Sequence, residues 1–148
     1  HLLVSRTFSK AYGLAALRVG YGVMHAAVAD ALNRVRQPFN VNSLAQAAAL
    51  AALADTAYVD ESRALNREGL RQLAAGFDAL RLSHVPSHAN FVLVNVGDAA
   101  AVNAALLAQG VIVRPVANYG LPSFLRVTVG LPAENARFLA ALRTALRR

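Results

Sequence analysis

Cysteine is absent from this 148-residue chain, which excludes a disulfide framework and any thiolate metal site and fits a cytosolic protein. Long apolar runs are missing too. Arg or Asp interrupts every candidate before roughly 18 residues, so no membrane span is expected, although 56% of the chain is hydrophobic. No signal-peptide pattern occurs, no internal repeat, and no low-complexity segment beyond an enrichment in alanine, so a cytoplasmic location is expected. Histidine is sparse, and Pro86 between His84 and His88 removes the helical geometry that would align the two on a metal; no metal site is expected. Among the basic residues lysine occurs once, at Lys10.

Acid is also in short supply: 8 Asp and Glu stand against 15 Lys and Arg, a net charge of +7. That charge raises a basic α/β nucleic-acid-binding module as one reading, recognisable by salt-dependent binding. The bias is arginine in place of lysine beside abundant alanine, as a GC-rich coding sequence produces, and no nucleic-acid partner is expected. The hydrophobic content exceeds that of a typical small soluble domain. The chain opens at His1 inside an apolar run with no lead-in structure, so a piece of a longer protein is expected.

What is present gathers around the lone lysine. The segment from Thr7 to Gly20 carries the chain's only primary side-chain amine, with Thr7 and Ser9 just before it and Arg18 eight residues after it. An aldehyde cofactor condenses only with a neutral nitrogen, which arginine, protonated throughout the accessible pH range, cannot provide. The two hydroxyls and the guanidinium are donors that would hold a dianionic phosphate close to that amine. A neighbouring guanidinium and a desolvated setting would both favour the neutral amine. Amine plus phosphate clamp is the chemistry of pyridoxal 5'-phosphate. A serine-hydrolase reading would need serine three residues before the lysine, where Thr7 stands, and its companion motifs are missing.

Periodicity orders the rest. Leu2 to Thr7 reads as a buried strand and Val19 to Met24 as the next, joined through a turn at Gly13-Leu14. Ala26 to Arg36 is helical, ending before Pro38, and 38–42 connects. Ser43 to Gln46 is a capping-box pattern opening a helix to about Leu53. Asp55 caps a second helix, Thr56 to Leu80, with an inner stripe through Leu70, Leu73 and Phe77 and a solvated row of Arg63, Arg67 and Arg71. Asn90 to Val96 reads as a strand covered on both faces. Ala99 to Gln109 is a helix stopped by Gly110. Val111 to Arg114 and Leu125 to Val129 are strands, and Pro132 opens a final helix. Alternation places Leu125, Val127 and Val129 on one face of the last strand and Arg126 with Thr128 on the other. A lone arginine there wants an anion, and Arg114 before Pro115 is a second candidate contact.

Thr7-x-Ser9-Lys10 with Gly13-Leu14 and Arg18-x-Gly20 resembles the cofactor-lysine segment of fold-type I, class I/II aminotransferases. The stretches 38–42, 87–91, 110–115 and 125–130, in that order, are similar to the C-terminal part of the histidinol-phosphate aminotransferases, so the resemblance covers nearly the whole chain. It implies an α/β fold: the tail of a large cofactor domain (residues 1–38), connecting helices (39–80) and a small C-terminal α/β domain (81–148). It implies Lys10 as the catalytic residue, Thr7, Ser9, Lys10 and Arg18 as contacts of pyridoxal 5'-phosphate, and Arg126, with Arg114, as binders of the substrate's anionic end. The implied reaction transfers an amino group between L-histidinol phosphate and 2-oxoglutarate, in a homodimer when full-length. The same segments imply, as rivals, an aromatic amino acid aminotransferase or a threonine-phosphate decarboxylase. Family members place before the lysine an acidic partner for the cofactor's ring nitrogen and an aromatic stacking residue. Neither is found here, so the fragment alone is expected to be inactive.

Overall fold

A computed structural model describes residues 2–146 and divides them into two units, the first ending at Arg63 and the second beginning at Ala64. None of the described helices is long and apolar enough to cross a membrane.

The first unit opens with an antiparallel ribbon, β1 (Leu3–Thr7) against β2 (Gly20–Met24), in the register Leu3↔Met24 to Thr7↔Gly20. Gly20 is required there, because a Cβ would come within 2.6 Å of the Arg6 carbonyl oxygen. The expected burial of β1 is not found: apart from half-buried Val4 its residues are exposed, since only β2 pairs with it and no described layer covers either face. Helix α1 (Ala26–Val35) follows, its first turn capped by His25, whose Nδ1 accepts from the Ala27 amide at 3.3 Å. Helix α2 (Ser43–Ala54) starts one residue earlier than the capping-box pattern places its cap. Asn42 is the N-cap, its side-chain oxygen accepting from the Ala45 amide at 2.8 Å, while the Gln46 amide turns back to the Val41 carbonyl. Asn and Ser cap equally well, and the side chain aimed at the third amide of the helix decided between them. Helix α3 (Thr56–Ala79) is capped as expected by Asp55, which accepts from the Tyr58 amide at 3.1 Å.

The second unit is a four-stranded antiparallel sheet in the order β3-β4-β6-β5, formed by β3 (His84–Val85), β4 (Phe91–Asn95), β5 (Arg114–Pro115) and β6 (Phe124–Thr128). The C-terminal part of α3, with α4 (Ala99–Leu107) and α5 (Pro132–Ala145), covers one face. The core comprises Leu73 and Phe77 of α3, Val92 and Val94 of β4, Leu106 of α4, Leu125 and Val127 of β6, and Phe138 and Leu142 of α5. Strand β4 is therefore covered on one face only. Val92 and Val94 are buried while Phe91, Leu93 and Asn95 are half-buried, a burial alternation masked by the apolar identity of both faces.

Residues 111–113 do not form the expected strand. Gly110, at φ 70°, ends α4, and the Val111 amide still donates to the Leu106 carbonyl at 3.0 Å as part of that helix stop. The chain then stands off from β6 across a cavity of about 420 Å³ and joins the sheet only at Arg114 and Pro115. The far end of β6 is locked by Asn135, the one buried polar residue among those described. Its Oδ1 accepts from the Gly130 amide at 2.9 Å, and its Nδ2 donates to Gln72 at 3.0 Å.

Candidate cofactor and anion sites

The lysine loop is tied at both ends to one buried residue, Phe8. Its amide donates to the Val19 carbonyl at 3.2 Å and its carbonyl accepts from the Leu14 amide at 2.9 Å. Beneath the loop Phe8 and Val19 pack on Ala45 and Ala49, one turn apart on α2, with Tyr12, Leu14 and Leu17 around them. Two alanines at that spacing present almost bare backbone, so the loop can seat close to the helix. Phe8 further contacts Tyr12 and Tyr21, at ring-centroid separations of 4.8 and 6.0 Å. With its underside held, the polar residues 9 and 10 face outward: Ser9 is half-buried and Lys10 exposed.

Lys10 begins a turn closed by the Gly13 amide on its carbonyl at 2.8 Å, with Gly13 at φ 69°. A Cβ at Gly13 would lie 3.0 Å from the Tyr58 hydroxyl, so the turn is also hemmed in by α3. A short 3-10 turn, Ala15–Leu17, then ends at Arg18, itself in the left-handed region at φ 52°, ψ 46°. That backbone turns the guanidinium back over the loop. Its Nη1 donates to the Ala15 carbonyl at 2.8 Å and to the Ser9 hydroxyl at 3.4 Å, while the Ser9 amide donates to the Thr7 hydroxyl at 3.0 Å. Thr7, Ser9 and Arg18 are thus linked in one hydrogen-bonded chain beside Lys10. Among the described residues no carboxylate lies within ion-pair reach of Arg18 or Lys10. The desolvation expected for Lys10 is not supplied by these residues.

In the second unit, antiparallel pairing sets Arg126 of β6 opposite Leu93 of β4 on one side and Arg114 of β5 on the other. Like charges directly opposite on adjacent strands are destabilising, and no described carboxylate pairs with either arginine. The Arg126 guanidinium carbon lies 5.0 Å from the centre of the Phe91 ring, and its Nε is buried without an acceptor. A buried donor left unpaired costs about 1–3 kcal/mol. Two cations and an unpartnered donor thus share one sheet face, a donor set whose chemistry suits an anion. The row on α3 is different in kind: Arg63 pairs with Asp60 and Arg71 with Glu68 along the helix, all exposed, as a solvated face would be.

The structure thus collects Thr7, Ser9, Lys10 and Arg18 in the first unit and Arg114 with Arg126 in the second. Sequence reasoning missed Phe8, Ala45 and Ala49, which seat the loop, and Phe91, which backs Arg126. The alanine pair left a signal in its four-residue spacing, and Phe8 left one as the apolar residue between Thr7 and Ser9.

The family model for aminotransferase class I and II matches residues 1–142. The chain is 67% identical over 149 aligned residues to "Histidinol-phosphate aminotransferase 2" of Pseudomonas fluorescens strain Pf0-1, covering 100% of this chain and 40% of that protein. The structure is similar to that of histidinol-phosphate aminotransferase from Sinorhizobium meliloti in complex with pyridoxal-5'-phosphate, at a TM-score of 0.87 and 32% identity over 98% of this chain and 41% of that one. It is also similar to L-threonine-O-3-phosphate decarboxylase from Porphyromonas gingivalis, at a TM-score of 0.85 and 29% identity over 99% of this chain and 47% of that one. The chain therefore spans about two fifths of the length of the curated relative.

Proposed function

The chain belongs to the class I and II aminotransferase family, and from that premise we propose that it is part of an enzyme transferring an amino group between L-histidinol phosphate and 2-oxoglutarate, in histidine biosynthesis. The observation that carries the reading is the single lysine at the head of a turn, beside the linked donors of Thr7, Ser9 and Arg18. Those donors have no acid of their own and fit a dianionic phosphate. Arg18 has five N–H groups, and the bonds to Ala15 and Ser9 occupy only one nitrogen, so a planar pair of donors remains for phosphate oxygens.

Bound pyridoxal 5'-phosphate would supply the electron sink that lets a proton leave the amino-bearing carbon of the substrate. Everything else falls to side chains. Arg18, Ser9 and Thr7 would hold the cofactor phosphate. Lys10 would hold the cofactor through its Nζ and, as a free amine, would move the proton at the amino-bearing carbon of the substrate. Arg126, with Arg114 opposite, receives the substrate phosphate, which neutralises the cross-strand repulsion. Residues 1–38 are read as the tail of a large cofactor domain, 39–80 as connecting helices and 81–148 as a small domain. A homodimeric, cytoplasmic enzyme is the accompanying reading. It is supported by the biosynthetic name of the relative and by exposed apolar groups of the first unit, among them Phe39 at 96% and Leu50 at 72% exposure.

In a full-length enzyme carrying this chain, borohydride treatment after loading with pyridoxal 5'-phosphate should fix the cofactor to one peptide, at Lys10. Label elsewhere, or none, removes the central assignment. The Porphyromonas gingivalis likeness favours a second reading, loss of CO₂ from threonine phosphate. Assaying L-threonine O-3-phosphate for CO₂ beside histidinol phosphate with 2-oxoglutarate for glutamate separates the two, since only the first reaction cleaves a carbon–carbon bond.

A further inference from the structure

We infer that Phe91 is a positioning residue for Arg126: its ring fixes the guanidinium so that the anion-binding donors are preset before substrate arrives. The inference rests on the reading of Arg126 as the binder of the substrate phosphate.

An arginine side chain has four rotatable bonds and loses much rotamer freedom when held in one geometry. Acidic neighbours often impose that order, but none is within ion-pair reach of Arg126 among the described residues. The Arg126 guanidinium carbon instead lies 5.0 Å from the Phe91 ring centre, inside the range where the negative face of an aromatic ring attracts a cation. A carboxylate in the same place would order Arg126 equally well but would compete with the incoming anion. A ring steadies the cation and leaves its charge uncancelled.

The backbone that carries the ring is fixed in its own right. Phe91 pairs with Thr128 at the start of β4, and the residue before it accepts from the Val129 amide at 2.9 Å. The approach to the strand is pinned where Asn66 of α3 donates to the Ala89 carbonyl at 3.1 Å. Leu93, the cross-strand partner of Arg126, places a second apolar side chain on the same face, and an apolar surround strengthens a charge-assisted bond to phosphate.

The test uses a full-length enzyme carrying this chain and loaded with pyridoxal 5'-phosphate, so that the cofactor-phosphate site is filled. Inorganic phosphate is the probe, its affinity read by calorimetry. Phe91→Leu keeps apolar volume and removes the ring face, Phe91→Trp keeps a ring face, and Arg126→Ala removes the charge itself. Phe91→Leu should weaken phosphate binding roughly 3- to 10-fold and raise KM for histidinol phosphate similarly, with kcat and the cofactor's visible absorption unchanged. Phe91→Trp should bind phosphate like the parent. If Phe91→Leu binds phosphate like the parent while Arg126→Ala does not, or if Phe91→Trp fails as Phe91→Leu does, the positioning role is overturned and the anion site stands. If Arg126→Ala itself leaves phosphate affinity unchanged, the anion reading falls, and this inference with it. A melting temperature for each variant, expected within a few degrees of the parent, separates lost positioning from lost fold.

Discussion

Arg126 and Arg18 are both guanidiniums without acidic partners among the described residues, and their surroundings differ as their proposed roles do. Arg18 is tied to backbone and to Ser9 within its own loop, whereas Arg126 rests on a ring and keeps an unsatisfied Nε. Replacing Arg126 should therefore spare cofactor loading and penalise substrate. Loss of a charge-assisted bidentate contact costs about 1.5–3 kcal/mol, so Arg126→Ala should lower kcat/KM for histidinol phosphate roughly ten- to a few-hundred-fold. Arg126→Lys should recover only part of it, because a point charge cannot present two parallel donors. Steady-state kinetics with histidinol phosphate and its unphosphorylated analogue check this: equal losses for both would make the arginine structural. For Lys10→Ala the expected loss is larger, about 10²- to 10⁴-fold in kcat from the missing proton carrier alone. It should come with loss of borohydride-fixable cofactor, measured on the same preparation.

At the scale of elements, the caps and the alternating faces of β6 were legible in the sequence because each follows from a local rule. Asp55 sits where an N-cap must, Gly110 supplies a left-handed stop, and Leu125 and Val127 alternate with Arg126 and Thr128. The choice between Asn42 and Ser43 was not legible, because both residue types cap helices and only the backbone path decides which aims at the Ala45 amide. Asn42→Ala should thus destabilise by about 1 kcal/mol and Ser43→Ala by under about 0.5 kcal/mol, as read from denaturant midpoints. The reverse order would return the cap to Ser43. Residues 111–113 were misread for a tertiary reason: their apolar, β-branched composition fits a strand, but the helix stop at Gly110 directs the chain away from β6 until Arg114. The two-residue β3 is too short to carry a period.

For the whole molecule, the lysine loop and the paired arginines were legible as residue types at given spacings, while the groups that hold them were not. Phe8 meets Ala45 and Ala49 across more than thirty residues of sequence, and no local pattern announces such a contact. The exposure of β1, β2 and the outer side of α2 could be anticipated only from composition, as more apolar surface than one small domain can hide. Val23, Leu44 and Leu50 are all well exposed, and an uncovered two-stranded ribbon is marginal in water. Expressed alone, the chain should therefore aggregate and show no transamination, as followed by light scattering and glutamate formation. A soluble monomer with turnover like that of a full-length enzyme would show that these faces need no cover.

The left-handed backbone at Arg18 sets durability against usefulness. Glycine would hold φ 52°, ψ 46° without the crowding that costs an L-residue roughly 1–2 kcal/mol there, but glycine has no guanidinium. Laboratory evolution rewarded only for heat resistance would be drawn to Arg18→Gly and would deliver a sturdier protein without the guanidinium proposed to clamp phosphate. A thermostabilised form that still works has to find its gains elsewhere and leave this strained residue alone.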